Sequence, residues 1–346
     1  MRARMLLLLL AMAAIVAGCG NFSYYLQSVE GQIDILQKRE QIAQVLANPA
    51  TSPALKKRLE QVLAIRDFAS IELKLPDNRS YRGYADLQRP FVVWNVFATA
   101  EFSIKPEEWC FPIAGCVGYR GYFTQARADA FAQELRGRGL DVYVGGVPAY
   151  STLGWFDDPV LNTFVNYPEY ELARLIFHEL AHQVAYAKGD TVFNESFATA
   201  VERIGSARWL HDRADPAARE AYERFDARRQ DFRALVSRTR EALDSLYGSA
   251  GSDAAKRVEK AELMARMQAD YAALKTERWG GFSGYDGWFA GANNASFGVL
   301  SAYNELVPDF ERLFEREGRD FDRFYAEARR LAALPKAERR AALQSP

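Results

Sequence analysis

Tyr170-Glu171-Leu172-Ala173-Arg174-Leu175-Ile176-Phe177-His178-Glu179-Leu180-Ala181-His182-Gln183 is the stretch on which the reading of this chain turns. It reads as an apolar α-helix. Within it, His178-Glu179-Leu180-Ala181-His182 sets two of the three histidines in the sequence four residues apart around a glutamate. Positions i and i+4 share one helix face, so both imidazoles can bind a single tetrahedral Zn²⁺. Glu179 projects beside the metal, where it can take a proton from a water. Two imidazoles buried in an apolar helix with nothing to satisfy them would be costly. The stretch therefore points to a metal-dependent hydrolase.

Such a site needs a third protein ligand and an open position. Glu195 is the better candidate, in Phe193-Asn194-Glu195-Ser196-Phe197-Ala198-Thr199-Ala200, which reads as the start of a second helix. Gly189 and Asp190 are expected to end the first helix, Asn194 to cap the second, and Phe197, Ala198 and Val201 to give it an apolar side. Two antiparallel helices joined by a short loop bring Glu195 back towards His178 and His182. His211 is the other candidate, but it lies about four helical turns beyond Glu195 and suits the surface or a helix C-terminus.

His178-Glu179-x-x-His182 followed by Asn194-Glu195-x-x-Ala198 resembles the gluzincin metallopeptidases, in which two helices supply His, His and Glu. More closely, the chain resembles a family of bacterial lipoproteins described as predicted aminopeptidases. The supporting segments are 24–32, 149–156, the histidine helix, 194–198 and 293–295. The resemblance implies a zinc peptidase held at the cell envelope, with Zn²⁺ on His178, His182 and Glu195 and Glu179 as general base. Two departures stand out. The gap from His182 to Glu195 is shorter than the usual gluzincin one, and Thr199 stands where one branch has an aspartate that orients the first histidine. That orienting carboxylate must come from elsewhere, or a backbone carbonyl must replace it.

Residues 1–18 read as an export signal: Met1-Arg2-Ala3-Arg4 is basic, and the apolar run Met5 to Val16 is too short for a good membrane span. Val16-Ala17-Gly18-Cys19 resembles a bacterial lipobox, which implies cleavage before Cys19 and a lipid on it. Gly20 in place of aspartate favours the outer membrane over the inner, facing the periplasm. Cys110 and Cys116, with Pro112 and Gly115 between them, are expected to form a small-loop disulfide in that oxidising compartment. A second metal site there is disfavoured, since no further Cys or His lies nearby.

The mature chain of 328 residues, 19–346, is long enough for a substantial core, and 42 basic residues against 45 acidic leave no nucleic-acid signature. The fold class expected is α+β, mainly helical and zincin-like. Helices are expected over residues 24–46 and through Leu55, Leu59, Val62 and Ile65. Strands are expected over 91–97, 117–123 and 140–144, with a helix from Gln125 to Arg136, and segment 150–155 as a sheet edge for an extended peptide. Residues 215–278 read as a long helical hairpin inserted in the peptidase domain, with solvated charged faces or a lid over the cleft as the two readings. The remainder, 279–346, is expected to be helical after an aromatic and glycine-rich loop, 279–289, which either lines the substrate pocket or caps the helices.

Tyr285 and Tyr303 are candidates for an oxyanion donor, and Asn293 and Asn294 for substrate contacts or a helix cap. The expected partner is a peptide. Aminopeptidase action further needs an anion for the substrate's α-ammonium, for which Glu202 and Glu171 are candidates, although either suits a supporting or surface carboxylate better. An endopeptidase, and an envelope scaffold with a structural zinc, are the alternatives.

Overall fold

The apolar repeat over residues 24–46 is two helices rather than one. In the computed structural model, which describes residues 23–111, 115–213, 216–301 and 305–345, helix α1 spans 23–38 and α2 spans Ile42–Ala47. The break is made by strand pairing. Strand β1 (Glu40–Gln41) lies antiparallel to β2 (Gly83–Ala85), which runs parallel to β8 (Val160–Leu161). Helix α3 (Pro53–Ile71) starts on the Ser52 hydroxyl, which accepts from Leu55 N at 3.2 Å, and turns Leu59, Val62 and Ile65 inward.

The central sheet has the order β6 (Arg120–Tyr122), β3 (Val93–Thr99), β7 (Asp141–Val147), antiparallel throughout. Helix α4 (Gln125–Gly137) covers one face, placing Ala128, Ala132 and Leu135 against Trp94, Val96 and Val142. The expected strand at 117–123 is divided. Val117 ends β5 (Gly115–Val117), which pairs with β4 (Trp109–Phe111) and is joined to it by the Cys110–Cys116 disulfide. Segment 150–155 forms no strand. Pro148, directly after β7, has no N–H to extend a ladder, and Leu153 and Gly154 adopt left-handed backbone (φ 56° and 80°) in a turn.

Helices α5 (Glu169–Ala181) and α6 (Thr191–Arg213) form the heart of the main core. They cross closely at Gly205, where a Cβ would come within 2.6 Å of Leu73 and 3.0 Å of Phe177. Beyond them, α7 (Pro216–Tyr247) and α8 (Asp253–Ala273) make a long hairpin, followed by a π-helical turn at Leu274–Arg278 and short helices α9 (Asp286–Ala290) and α10 (Asn294–Ser301). Helices α11 (Val307–Arg316), α12 (Phe321–Ala332) and α13 (Lys336–Gln344) close the back of α6, with Phe197 against Phe310, Phe324 and Tyr325. The fold is α+β and mainly helical. Among the described residues, no helix is long and apolar enough to cross a membrane. Cys19 and residues 1–18, where an export signal is expected, lie outside those residues.

The aromatic loop at 279–289 caps helices and lines no pocket wall near the histidines. Tyr285 stacks on Phe232 of α7 at 4.3 Å and Phe289 on Tyr271 of α8 at 3.9 Å, in a second core of their own. Large aromatic faces gain most by stacking on the hairpin's apolar side, which α7 and α8 would otherwise expose.

Candidate metal centre

Helix α5 turns Leu172, Ala173, Ile176, Phe177 and Leu180 into the core, which leaves His178 and Glu179 facing a cavity of about 520 Å³. The helix ends earlier than its apolar period suggests. Ala181 is its last residue, His182 sits at the C-cap, and i→i+3 bonds from Gln183 and Val184 tighten the exit. The α6 cap also differs from expectation. Asp190 Oδ1 accepts from Phe193 N at 3.3 Å, while Asn194, inside α6, clasps both N–H and C=O of Ala187 (2.7 and 2.9 Å). That clasp fixes the turn between the helices and so the position of Glu195.

The three side chains converge. His178 Nε2 lies 3.2 Å from His182 Nε2 and 3.2 Å from Glu195 Oε2, and His182 Nε2 is 3.7 Å from the same oxygen. Their ligand atoms all fall within 4.8 Å of one another. Two imidazole nitrogens and a carboxylate oxygen gathered on one wall of the cavity suit a divalent cation. The electrostatics agree with that fit. Burial pulls the His178 imidazole down, but Glu195 and Glu202 outweigh it and push its pKa up to about 10, so the position favours positive charge. Burial pushes His182 down to about 4 and leaves it neutral with a lone pair to give. Burial also opposes ionisation of Glu195, yet His182 and His178 hold its carboxyl below the usual range.

The carboxylate missing at Thr199 is supplied one turn further on. Glu202 Oε2 lies 3.1 Å from His178 Nδ1, while Oε1 accepts from Arg174 Nε at 2.7 Å and from Arg229 Nη1 at 3.2 Å. Burial works against this charge, but Arg174, His178 and Arg229 hold the Glu202 carboxyl well below the ordinary range. Glu202 therefore orients a histidine and is not offered to a substrate ammonium. Glu171 is not on the cavity wall either.

Glu179 lines the cavity outside the donor trio, and burial, against the pull of His178, pushes its carboxyl up to about 8. Tyr119 faces the same space and leans on Phe97 (5.6 Å). Its hydroxyl is raised first by burial and then by the charge of Glu195, with a smaller push from Glu179. Sequence reading missed Tyr119, which lies between two strands and far along the sequence from the histidines.

Of the other candidates, His211 is 87% exposed and pairs with Asp212. Tyr303 falls outside the described residues. Tyr285 belongs to the second core. Asn293 and Asn294 are structural. Asn293 Oδ1 accepts from Ala295 N and Ser296 N to cap α10, and its amide donates to Val142 O. Asn294 accepts from the Tyr247 hydroxyl and donates to Ala100 O and Glu101 O. No residue of the α7–α8 hairpin lines the cavity among the described residues, so the lid reading has no footing.

A family model described as Putative aminopeptidase matches residues 23–343. The chain belongs to that family. No curated protein and no solved structure matches it. The matched span begins where α1 begins and ends within α13, so the cavity, the donor trio and the helical hairpin all lie inside it.

Proposed function

We propose that this member of the family is a zinc-dependent peptidase of gluzincin type, held at the bacterial envelope by its N-terminus, with aminopeptidase action as the first reading. The observation that carries it is the meeting of His178, His182 and Glu195 in a cavity that Glu179 also lines. A Zn²⁺ ion there supplies a Lewis acid for the scissile carbonyl and its attacking water. The protein's own groups then have distinct tasks. Glu179 accepts the proton of the attacking water and delivers one to the departing amine, a role for which a carboxyl raised towards neutrality is suited. Tyr119 donates its hydroxyl to the developing oxyanion. Glu202 holds the His178 ring with Nε2 turned inward.

Two expected results follow from these roles. Tyr119→Phe lowers kcat by about a hundred- to a thousand-fold with little change in zinc content; a parental kcat would remove it from the mechanism. Glu202→Gln weakens zinc affinity by about ten- to a hundred-fold, read by competition with a chelating dye.

An endopeptidase is the second reading, favoured by one observation. The carboxylates lining the cavity are Glu179 and Glu195, both already committed, so among the described residues none is spare for a free α-ammonium. Cleavage of matched peptides with free and acetylated amino termini, before and after chelation, tests the proposal. Loss of all turnover on chelation supports zinc dependence, and turnover of free peptides alone supports the aminopeptidase. A protein that holds zinc yet cleaves neither set is the scaffold instead.

A further inference from the structure

Helix α1 carries an apolar stripe that nothing in the described fold covers. Tyr25, Leu26, Val29 and Ile33 are 41%, 47%, 55% and 46% exposed, on successive turns of one flank. At about 100° per residue, this flank adjoins the row bearing Tyr24 and Ser28, which line the cavity. It also adjoins Gln32 and Arg39, which bind the loop after β7. The Tyr150 hydroxyl donates to Gln32, and Arg39 Nη1 reaches Asp157 O at 2.9 Å and its carboxylate at 3.1 Å. The charged residues of α1 follow Leu26 round the helix at the stripe's other edge, where Glu30 pairs with Arg127 and Asp34 with Arg89 and Lys38.

The same loop puts forward a second exposed apolar group, Trp155 at 75% and Phe156 at 46%. The loop is well built. Thr152 N and Oγ1 donate to Asp158 at 2.9 and 2.8 Å, and Phe156 N donates to Thr152 Oγ1 at 3.1 Å. Holding a tryptophan outward on a hydrogen-bonded turn is costly in water and serves contact with something apolar. Ser151 and Leu153 of this loop line the cavity as well, so α1 and the loop each supply part of its wall from residues next to their exposed apolar groups.

We propose that α1's stripe and the Trp155–Phe156 turn form the face this protein lays on a phospholipid bilayer, with the cavity opening beside it. The inference rests on the reading that the N-terminus is membrane-held. A lipid on Cys19 would leave only residues 19–22 before α1, and four residues span about 14 Å at most, so an N-terminus fixed in a bilayer keeps α1 against it. A tryptophan, apolar in body and with one N–H, suits the headgroup level of a bilayer. A second copy of the chain needs no such proximity to the lipid-bearing end.

The test uses the full chain in phospholipid vesicles, with a fluorophore on Val29→Cys, Ile33→Cys or Trp155→Cys. A control carries it on Val258→Cys, which is 62% exposed on α8. The unsubstituted chain, labelled in parallel, sets the background. Lipids brominated in the acyl chain are expected to remove most of the emission at 29, 33 and 155 and little at 258. If the chain floats with the vesicles but all positions stay bright, the face is overturned while membrane attachment stands, and a second copy covers the stripe. If the chain does not float at all, the attachment and this face fall together.

Discussion

Glu179→Gln is expected to bind a divalent ion as the parent does and to cleave peptides about a thousand-fold more slowly, or worse. The amide keeps the size of the carboxyl, and Glu179 is not among the three side chains that converge, so the donor set is untouched. What is lost is the proton acceptor, and general base catalysis is worth about a hundred- to ten-thousand-fold. Burial makes the change benign for folding, because a carboxyl raised to about 8 is already expensive to ionise in this cavity. Metal analysis alongside turnover separates this variant from His178→Ala, which should lose ion and activity together. A zinc-loaded Glu179→Gln protein with parental turnover would refute the proton-transfer role.

Arg339→Met is expected to cost about 3–5 kcal/mol of stability, although residue 339 lies far along the sequence from the histidines. Arg339 is buried in α13, with Nη1 2.5 Å from Asp190 Oδ2 and further bonds to the carbonyls of Leu331, Ala332 and Leu334. Asp190 is equally buried and caps α6. Without the guanidinium its charge keeps Lys336, 3.9 Å away and largely exposed, as its remaining cationic neighbour in an ion pair. Three carbonyls are also left open. Urea denaturation reads the loss. Pairing the change with Asp190→Asn should recover part of it, because the stranded charge is then gone. A single variant as stable as the parent would show that water satisfies both groups.

The local part of this molecule was legible in the sequence because local rules govern it. Spacing alone put His178 and His182 on one face and a helix under Glu195. Glu202, two turns beyond Glu195, could be picked out as a candidate carboxylate, but its partner was hidden: Arg229 arrives from a helix that composition describes only as charged. Arg174, four residues before His178, was the readable half of that cluster. The end of α5 was not readable, since Val184, Ala185 and Ala187 continue an apolar pattern while the Asn194 clasp pulls the chain out of the helix. Tertiary pairing likewise split the helix expected at 24–46 through β1. Asn293 and Asn294 misled for a related reason: amides that recognise a peptide backbone also recognise the protein's own.

The bond between Arg229 and Glu202 has a practical side. The two long helices resemble an appendage that a protein engineer would trim to obtain a smaller, better-behaved fragment. Excision would take away one of the two guanidinium groups on Glu202, together with the aromatic lining that Tyr285 and Phe289 rest on. Such a fragment would keep every ligand yet grip its ion less firmly, and its failure would be mistaken for a fault in the histidines.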